Sequence, residues 1–211
     1  MALFDRKRTN FDISTPYYTI GDSKTILVIG LGNPGKEYAA NRHNAGFMAL
    51  DYYQSKNDFS NWTLKKDLKC MISQGQLGST KIILVKPTTF MNESGQAAIA
   101  VQKYFRLHNN DTIVVYDELD VDFATIRTRT GGGSAGHNGI KSLIAHINED
   151  FGRIRVGIGP KKPKQIDSAD FVLKDFTKKE QELIPKIVRE VATFIDESTV
   201  GDLPEHTISL S

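Results

Sequence analysis

The feature that most constrains this fold is a short apolar run, TILVIG at residues 25–30, which ends in glycine. A continuous run of this kind is typical of a strand that is buried on both faces of a parallel sheet. A glycine-rich turn follows, and the next segment has apolar positions at helical spacing, with Phe47, Leu50 and Gln54 along one face. The organised part of the chain therefore opens with a strand, a turn and a helix.

Strand-like and helix-like segments alternate along the rest of the chain. In order they are a hairpin in 69–87 with its turn at Gly78-Ser79, a helix capped by Asn92 or Ser94, a strand at 111–120, a glycine cluster at 131–139, a helix at 140–147, a strand at 153–159 and a last helix at 178–195 that contains Pro185. This alternation predicts an α/β fold, a single domain with a twisted mixed, mainly parallel β-sheet flanked by helices. We expect that domain to span 24–211, and we expect 1–23 to be an extension with partial disorder.

Composition excludes several classes of protein. The chain has 27 basic and 25 acidic residues, a net charge of +2, so any surface for nucleic acid must be local. A single cysteine, Cys70, excludes an internal disulfide and a multi-cysteine zinc site, and its strand-like surroundings predict a packing residue. No window approaches about 18 consecutive apolar residues, so we expect a protein that is neither exported nor inserted in a membrane.

Two glycine motifs suggest other functions. Residues 30–35, GLGNPG, match the dinucleotide-binding pattern G-x-G-x-x-G, but Pro34 lacks the N–H that a pyrophosphate needs and Asp51 falls inside the predicted helix. Residues 132–136, GGSAG, match the nucleophile elbow G-x-S-x-G around Ser134, but the only late histidine is His206. A structural turn and a mobile loop facing the substrate are the preferred interpretations of the two motifs.

A third set of residues is more specific. His43 follows the first turn, and Asp117 comes at the end of the third strand-like run, both where parallel sheets usually place their sites. A neutral histidine oriented by a carboxylate is a general base for activating water. The alternative is that His43 makes a hydrogen bond within a turn and Asp117 caps a helix.

Five segments together resemble the bacterial peptidyl-tRNA hydrolase family. They are VIGLGNPGKEYAANRHNAGF (28–47), KPTTFMNESG (86–95), VVYDELDV (114–121), GGGSAGHNGIKSL (131–143) and RIRVGIG (153–159). The sequence departs from the family at Asn41, where threonine is common, and at Ser134-Ala135, where His-Gly is often found. Residues 1–23 match nothing in the usual family pattern.

The resemblance implies a function. Members hydrolyse the ester between a peptide and the 3′ end of tRNA, need no metal or cofactor, and mostly act as monomers in the cytoplasm. The implied partner is peptidyl-tRNA, bound through its acceptor stem, its 3′ end and the nascent peptide. By the same resemblance His43 is the base, Asp117 orients it, and Asn92 helps to bind the substrate and to stabilise the oxyanion. Asn33 and Asn138 resemble the asparagines that fix the 3′ end of the substrate and the peptide carbonyls or the catalytic water.

Further residues are carried over from the family pattern. Tyr38, Phe90 and Met91 resemble the apolar side of the cleft, and the alternative for each is ordinary core packing. Arg129 and Arg155 resemble a basic pair that grips the 5′ phosphate of tRNA, with Arg129 standing where lysine is frequent. Arg127 and Arg153 are predicted to share that face, and KKPK (161–164) is either a basic rim or a solvated surface.

Three questions stay open at this point. His137 either shapes the loop or makes a local hydrogen bond in a glycine turn. A serine hydrolase acting through Ser134 is one alternative function, and an RNA-binding adaptor on the same fold is another, since a plastid splicing factor is similar in sequence. Intact His43 and Asp117 favour catalysis over the adaptor.

Overall fold

The computed structural model describes residues 24–161 and 163–210, which form one eight-stranded sheet with helices on both faces. The predicted extension 1–23 lies outside the described residues. In chain order the elements are β1 (Thr25–Gly30), α1 (Ala45–Lys56), β2 (Thr63–Lys65), β3 (Cys70–Leu77), β4 (Thr80–Pro87), α2 (Ser94–Phe105), β5 (Thr112–Asp122), β6 (Thr125–Thr130), α3 (Asn138–Ile147), β7 (Gly152–Gly159), α4 (Ser168–Val172), α5 (Lys178–Gln181), α6 (Ile184–Val200) and β8 (His206–Ser209). No helix in these described residues is long and apolar enough to cross a membrane.

The sheet is mixed with a parallel centre, as the sequence predicts. Its strand order is β2-β3-β4-β1-β5-β7-β6-β8. The four central strands β4, β1, β5 and β7 run parallel, and the strands outside them pair antiparallel. The carboxyl ends of β4, β1 and β5 therefore lie side by side, which is where an open α/β sheet forms its ligand crevice.

The apolar runs are continuous because both faces of the central strands are covered. One face packs against α1 and α6 through residues such as Val28, Leu50 and Val191. The other packs against α2 and α3 through residues such as Ile29, Val101 and Leu143. Cys70 is fully buried in this second layer, where burial raises the pKa of its thiol to about 12.

Local details correct two of the expectations. The predicted last helix is two helices, because Pro185 lies in the first turn of α6, where its missing N–H would have no partner in any case. Glu93 precedes α2 without a side-chain cap, and the Ser94 hydroxyl instead donates to the Met91 carbonyl. The hairpin turn at Gly78-Ser79 is as predicted, with Gly78 at a φ of 59°.

Candidate active site

A cleft of about 650 Å³ lies at the carboxyl ends of β4, β1 and β5. It collects residues from the loop after β1, the turn before α2, the end of β5 and the glycine loop before α3. Eight residues singled out from the sequence line this cleft, namely Asn33, Tyr38, His43, Phe90, Met91, Asn92, Asp117 and Asn138. They come from segments up to about a hundred residues apart in the chain, and the parallel sheet brings them together.

His43 and Asp117 form a buried hydrogen-bonded pair at this cleft. His43 Nδ1 lies 2.9 Å from Asp117 Oδ1 and 3.0 Å from Oδ2. An ionised carboxylate can only accept hydrogen bonds, so the Nδ1 nitrogen carries the proton and donates it. The opposite ring nitrogen, Nε2, is then the basic one, and it has no hydrogen-bond partner within the described part of the chain. The pair therefore has the tautomer that a general base requires.

His137 is the third side chain in contact with Asp117. The backbone N–H of Ile140 donates to His137 Nδ1 at 3.2 Å, so the proton of the neutral ring is on Nε2. That Nε2 lies 3.1 Å from Asp117 Oδ1 and donates to it. The ring thus makes a local hydrogen bond that caps α3, and it also supports the carboxylate that holds His43, a contact that neither interpretation of the sequence included.

The surroundings keep Asp117 ionised. Its carboxyl is 1% exposed, and burial alone would raise its pKa, but the electrostatic attraction and the hydrogen bonds of the ring N–H groups of His43 and His137 outweigh burial. The pKa of Asp117 consequently lies well below its usual value. The spacing of three side chains, His43, Asp117 and His137, would also suit a cation. A cation bound there would have to replace the protons that the two rings donate to the carboxylate.

The segment that carries His43 is fixed by its neighbours in sequence. Arg42 is buried and donates to the carbonyls of Lys174 and Asp175, and it forms a 2.6 Å ion pair with Glu180. Asn44 Oδ1 accepts from the Asn33 N–H at 2.8 Å, and its Nδ2 donates to the Asn33 carbonyl at 3.0 Å. The Arg-His-Asn triplet thus places His43 between two structural side chains.

Asn33 is oriented as a hydrogen-bond donor toward the cleft. Its Oδ1 accepts from the backbone N–H of Met91 at 2.8 Å, which fixes which end of the amide is oxygen. The Nδ2 group has no hydrogen-bond partner among the residues described, and Asn33 lines the cleft. Asn92 and Asn138 are exposed on the cleft wall, at the start of the turn before α2 and at the start of α3.

The apolar wall contains residues of two kinds. Phe90 is 55% exposed, an unusual state for a large aromatic side chain, whereas Met91 is 4% exposed and packs in the core as well as on the cleft. Sequence reasoning gave Glu118 no role and missed the rest of the wall, which is formed by Leu119, by Ala169 and Val172 of α4, and by Leu173 just after α4. The start of α4 could have been predicted from Asp167, a residue type common at helix N-caps, whose side chain accepts a hydrogen bond from the Ala169 N–H.

Glu118 is a second buried carboxyl at the cleft. It is 4% exposed, and this burial raises its pKa, although a hydrogen bond from the Asp120 N–H opposes the effect. Its side chain therefore favours the neutral form more than an ordinary glutamate does.

A separate basic groove of about 560 Å³ lies on β6, β7 and β8. Arg127, Arg129 and Arg155 line it, together with Thr207 on the edge strand β8. Burial and then the neighbouring Arg129 lower the pKa of Arg155, so the groove concentrates positive charge that an anion would relieve.

Arg153 is not part of that surface. The register pairs Arg129 with Arg153 and Arg127 with Arg155, so these side chains do share one face of the sheet. Arg153 is nevertheless 0% exposed and points its donors at backbone carbonyls. In the KKPK run, Lys161 is hydrogen-bonded to Ile166 and Ser168, and residue 162 lies outside the described residues.

The two alternative glycine motifs lack the partners that their functions need. Asp51 lies on α1 and forms an ion pair with Lys86, away from any ribose-binding position at a strand end. Within the described residues no histidine or carboxylate is hydrogen-bonded to the Ser134 hydroxyl, and His206 instead packs its ring against Phe194. Ser134 therefore lacks the base that a serine nucleophile requires.

Comparison with known proteins gives one consistent family. A family model described as peptidyl-tRNA hydrolase matches residues 27–209. The chain is 44% identical over 177 residues to the peptidyl-tRNA hydrolase of Ruegeria sp., covering 83% of this chain and 70% of that protein. It is 50% identical over 163 residues to that of Fervidobacterium nodosum, covering 77% of this chain and 83% of that protein. The crystal structure of peptidyl-tRNA hydrolase from Acinetobacter baumannii matches with a TM-score of 0.76 and 32% identity, over 84% of this chain and 89% of that one.

Proposed function

The chain belongs to the peptidyl-tRNA hydrolase family, and on that premise we propose that its cleft hydrolyses the ester between a peptide and the 3′ end of tRNA with His43 as the base. The observation that carries the assignment of roles is the hydrogen-bonded pair of His43 Nδ1 and Asp117, which leaves Nε2 free to take a proton. The products are free tRNA and a free peptide.

The reaction needs one proton transfer in each direction. His43 Nε2 accepts a proton from water, and the water oxygen attacks the ester carbonyl carbon. The bond from that carbon to the 3′ oxygen of the ribose then breaks, and His43 returns the proton to this oxygen. Asp117 stabilises the transient imidazolium without taking the proton itself, which its lowered pKa favours.

Asparagine amides are suited to stabilise the charge that develops on the carbonyl oxygen. Asn33 presents Nδ2 to the cleft because its oxygen is already held by the Met91 N–H. Asn92 lies on the turn before α2, and we assign it to binding the substrate and stabilising the same charge. Asn138 lines the cleft at the start of α3, and we assign it to the substrate carbonyls, the 3′ end of tRNA or the attacking water. A fixed donor of this kind contributes about 10²- to 10³-fold to turnover when it faces an oxyanion.

The apolar wall and the basic groove are assigned to the two parts of the substrate. The exposed ring of Phe90 offers a surface on which a terminal base can stack, with Tyr38 and Met91 beside it. Arg129 and Arg155 are assigned to the 5′ phosphate of tRNA, because arginine donates to phosphate oxygens through a bidentate fork. Arg127 lies in the same groove and extends this contact surface.

We also propose that the protein acts as a cytoplasmic monomer without a bound metal. The cleft and the arginine groove are both made by one chain, so the proposed site is complete without a second copy. The single buried cysteine suits a reducing compartment. Light scattering of the purified protein would test the oligomeric state.

The experiment that tests the function measures release of the blocked amino acid from an N-acetylated aminoacyl-tRNA, in buffer with a chelator. Wild type should hydrolyse this ester, and His43→Ala should reduce turnover by about 10²- to 10⁴-fold, the usual effect of losing a general base. Binding of tRNA should change little, because His43 touches the ester rather than the acceptor stem.

The matched control is His146→Ala, which removes an exposed histidine whose ring is hydrogen-bonded to the Ser142 carbonyl. It should retain wild-type turnover. A folded wild type that binds tRNA but releases no amino acid would contradict the hydrolase function and favour the RNA-binding adaptor. Full activity of His43→Ala would remove the proposed base.

A further inference from the structure

A glycine loop, defined as residues 131–136, leads from β6 to His137 and has little stiffness of its own. Gly131, Gly132 and Gly136 have positive φ values of 70°, 98° and 84°, which other residues rarely adopt. Glycine has the largest backbone freedom of any residue, so the entropic cost of fixing this loop is high. Other groups must therefore hold the loop if His137 is to stay in place.

Arg153 supplies the contacts that hold it. One guanidinium nitrogen donates to the Gly133 carbonyl at 2.6 Å, and the other donates to the Gly132 carbonyl and, at 3.3 Å, to that of Glu149. The guanidinium also lies over the Phe151 ring, 4.6 Å from its centre. The planar guanidinium presents two nitrogens in a rigid fork, one to each of two consecutive carbonyls, whereas an ammonium is a single nitrogen on a flexible stem and does not fix their spacing.

The cost of burying this cation suggests a role beyond stability. Arg153 is 0% exposed, its partners are neutral carbonyls and the Tyr116 hydroxyl rather than a carboxylate, and its Nε has no hydrogen-bond partner in the described part of the chain. Replacing even a buried ion pair with apolar side chains of similar volume is often neutral or stabilising, so packing alone does not require a buried charge here.

The loop that Arg153 holds is followed directly by His137, which contacts the carboxylate of Asp117. The N–H of His137 donates to the Ser134 carbonyl in the turn that closes the loop. His137 Nε2 then donates to Asp117 Oδ1 at 3.1 Å, and Asp117 holds His43. The path from the Arg153 guanidinium to His43 thus consists of one short loop and two hydrogen bonds.

We propose that Arg153 is a positioning residue for the hydrolysis, whose buried guanidinium fixes the glycine loop so that His137 remains hydrogen-bonded to Asp117. This inference rests on the proposed function of His43 and Asp117. Arg153 touches neither tRNA nor the ester, which distinguishes it from Arg129 and Arg155 on the same face of the sheet.

The test compares Arg153→Lys with wild type in steady-state hydrolysis and in the NMR spectra of the histidine rings. Lysine keeps the charge but lacks the rigid two-nitrogen fork that sets the positions of the two loop carbonyls, so kcat should fall about 10- to 100-fold, the size expected when a supporting contact shifts by about 1 Å. KM should change less than 3-fold, since Arg153 does not bind tRNA. The His137 ring resonances should shift or broaden.

A rescue variant separates positioning from general destabilisation. A Cβ at Gly133 would meet no atom within 4 Å, and Gly133 has no positive φ, so Gly133→Ala limits the freedom of the loop without a clash. In the Arg153→Lys background it should recover kcat about 2- to 5-fold, the range that corresponds to the known effect of glycine replacement. With both variants compared under conditions where urea unfolding shows them fully folded, a merely structural role for Arg153 predicts no such recovery.

Arg189→Lys on the exposed surface of α6 is the matched control and should keep wild-type kinetics. Unchanged kcat and unchanged His137 resonances in a folded Arg153→Lys protein would overturn the proposal. An inactive wild type would instead overturn the proposed function, and the NMR comparison would still report whether Arg153 fixes His137.

Discussion

At the scale of single residues, Glu118 gives the clearest dependence on pH. Its folded-state pKa is raised by burial above the ordinary value of 4.5, so its contribution to stability is fully present below that value and is lost as the pH rises through the folded pKa. Glu118→Gln removes this loss while keeping the size of the side chain. The variant should therefore gain stability relative to wild type as the pH rises above 4.5, and the gain should level off once the folded-state pKa of Glu118 is passed, measured as the urea midpoint at each pH.

The exposed carboxyl of Glu182 provides the control for this experiment. The urea midpoint of Glu182→Gln should follow that of wild type over the same pH range. Its free energy of unfolding should differ from that of wild type by no more than about 0.5 kcal/mol, as is typical of surface changes. If the Glu118→Gln midpoint also stays parallel to that of wild type, burial of Glu118 does not disfavour its charged form.

Residue roles differ in how far a sequence predicts them. His43 and Asp117 could be paired from sequence because their two segments resemble one family pattern, although the apolar run did not show that β5 continues past Asp117 to Asp122. Arg153 and Arg155 are the same residue type two positions apart, and alternation correctly predicts their common face. Only the fold of the glycine loop over Arg153 makes one of them structural and leaves the other in the groove, and no local pattern encodes that cover.

At the scale of elements, the start of α1 determines where His43 lies. Gly46, the second residue of α1, packs so closely that an added Cβ would collide with the Val115 carbonyl and the backbone of Leu31. Gly46→Ala should lower the free energy of unfolding by about 1–3 kcal/mol through this overpacking, although alanine favours a helix by about 1 kcal/mol. Turnover should also fall, because α1 must move away from β5.

Gly201→Ala is the comparison for this change, because a Cβ at Gly201 meets nothing within 4 Å. Urea unfolding and turnover should both match wild type in that variant. A Gly46→Ala protein that is more stable than wild type would mean that helix propensity outweighs the contact and that α1 can shift without cost.

The elements that sequence reasoning recovered are those with a strong apolar signal. β1, β5 and β7 are buried on both faces, so their runs stand out without any knowledge of the fold. β2 has three exposed residues and β8 has no buried one, and both are strands only because a neighbour offers a free edge. Such strands are set by tertiary pairing rather than by their own composition.

At the scale of the whole molecule, the charge is nearly balanced and tRNA binding must come from a local surface. The net charge of +2 gives no general attraction for a polyanion. The arginines of the groove on β6 and β7 are instead grouped on one face. The pKa of Arg155 is lowered by burial and then by the nearby charge of Arg129. Local concentration of charge on an almost neutral protein favours recognition of a few phosphates over binding along a backbone.

The last prediction follows from this localisation. Two phosphate contacts contribute about 1.8 to the slope of log affinity against log salt concentration, at about 0.9 for each contact. Removing both arginines, as Arg129→Ala with Arg155→Ala, should weaken tRNA binding and reduce the magnitude of the slope by about that amount, measured by fluorescence anisotropy. Turnover at saturating substrate should change less, because neither side chain lines the cleft.

Dephosphorylated tRNA identifies the phosphate that the pair holds. Wild type should bind tRNA more weakly after removal of its 5′ phosphate, whereas the double variant should bind both forms alike, since the effects of two partners in contact are not additive. Lys186→Ala with Arg189→Ala on α6 removes the same charge from another surface and should keep the wild-type preference for the 5′ phosphate. Equal loss of affinity in the two double variants would show that net charge, rather than the groove, governs binding.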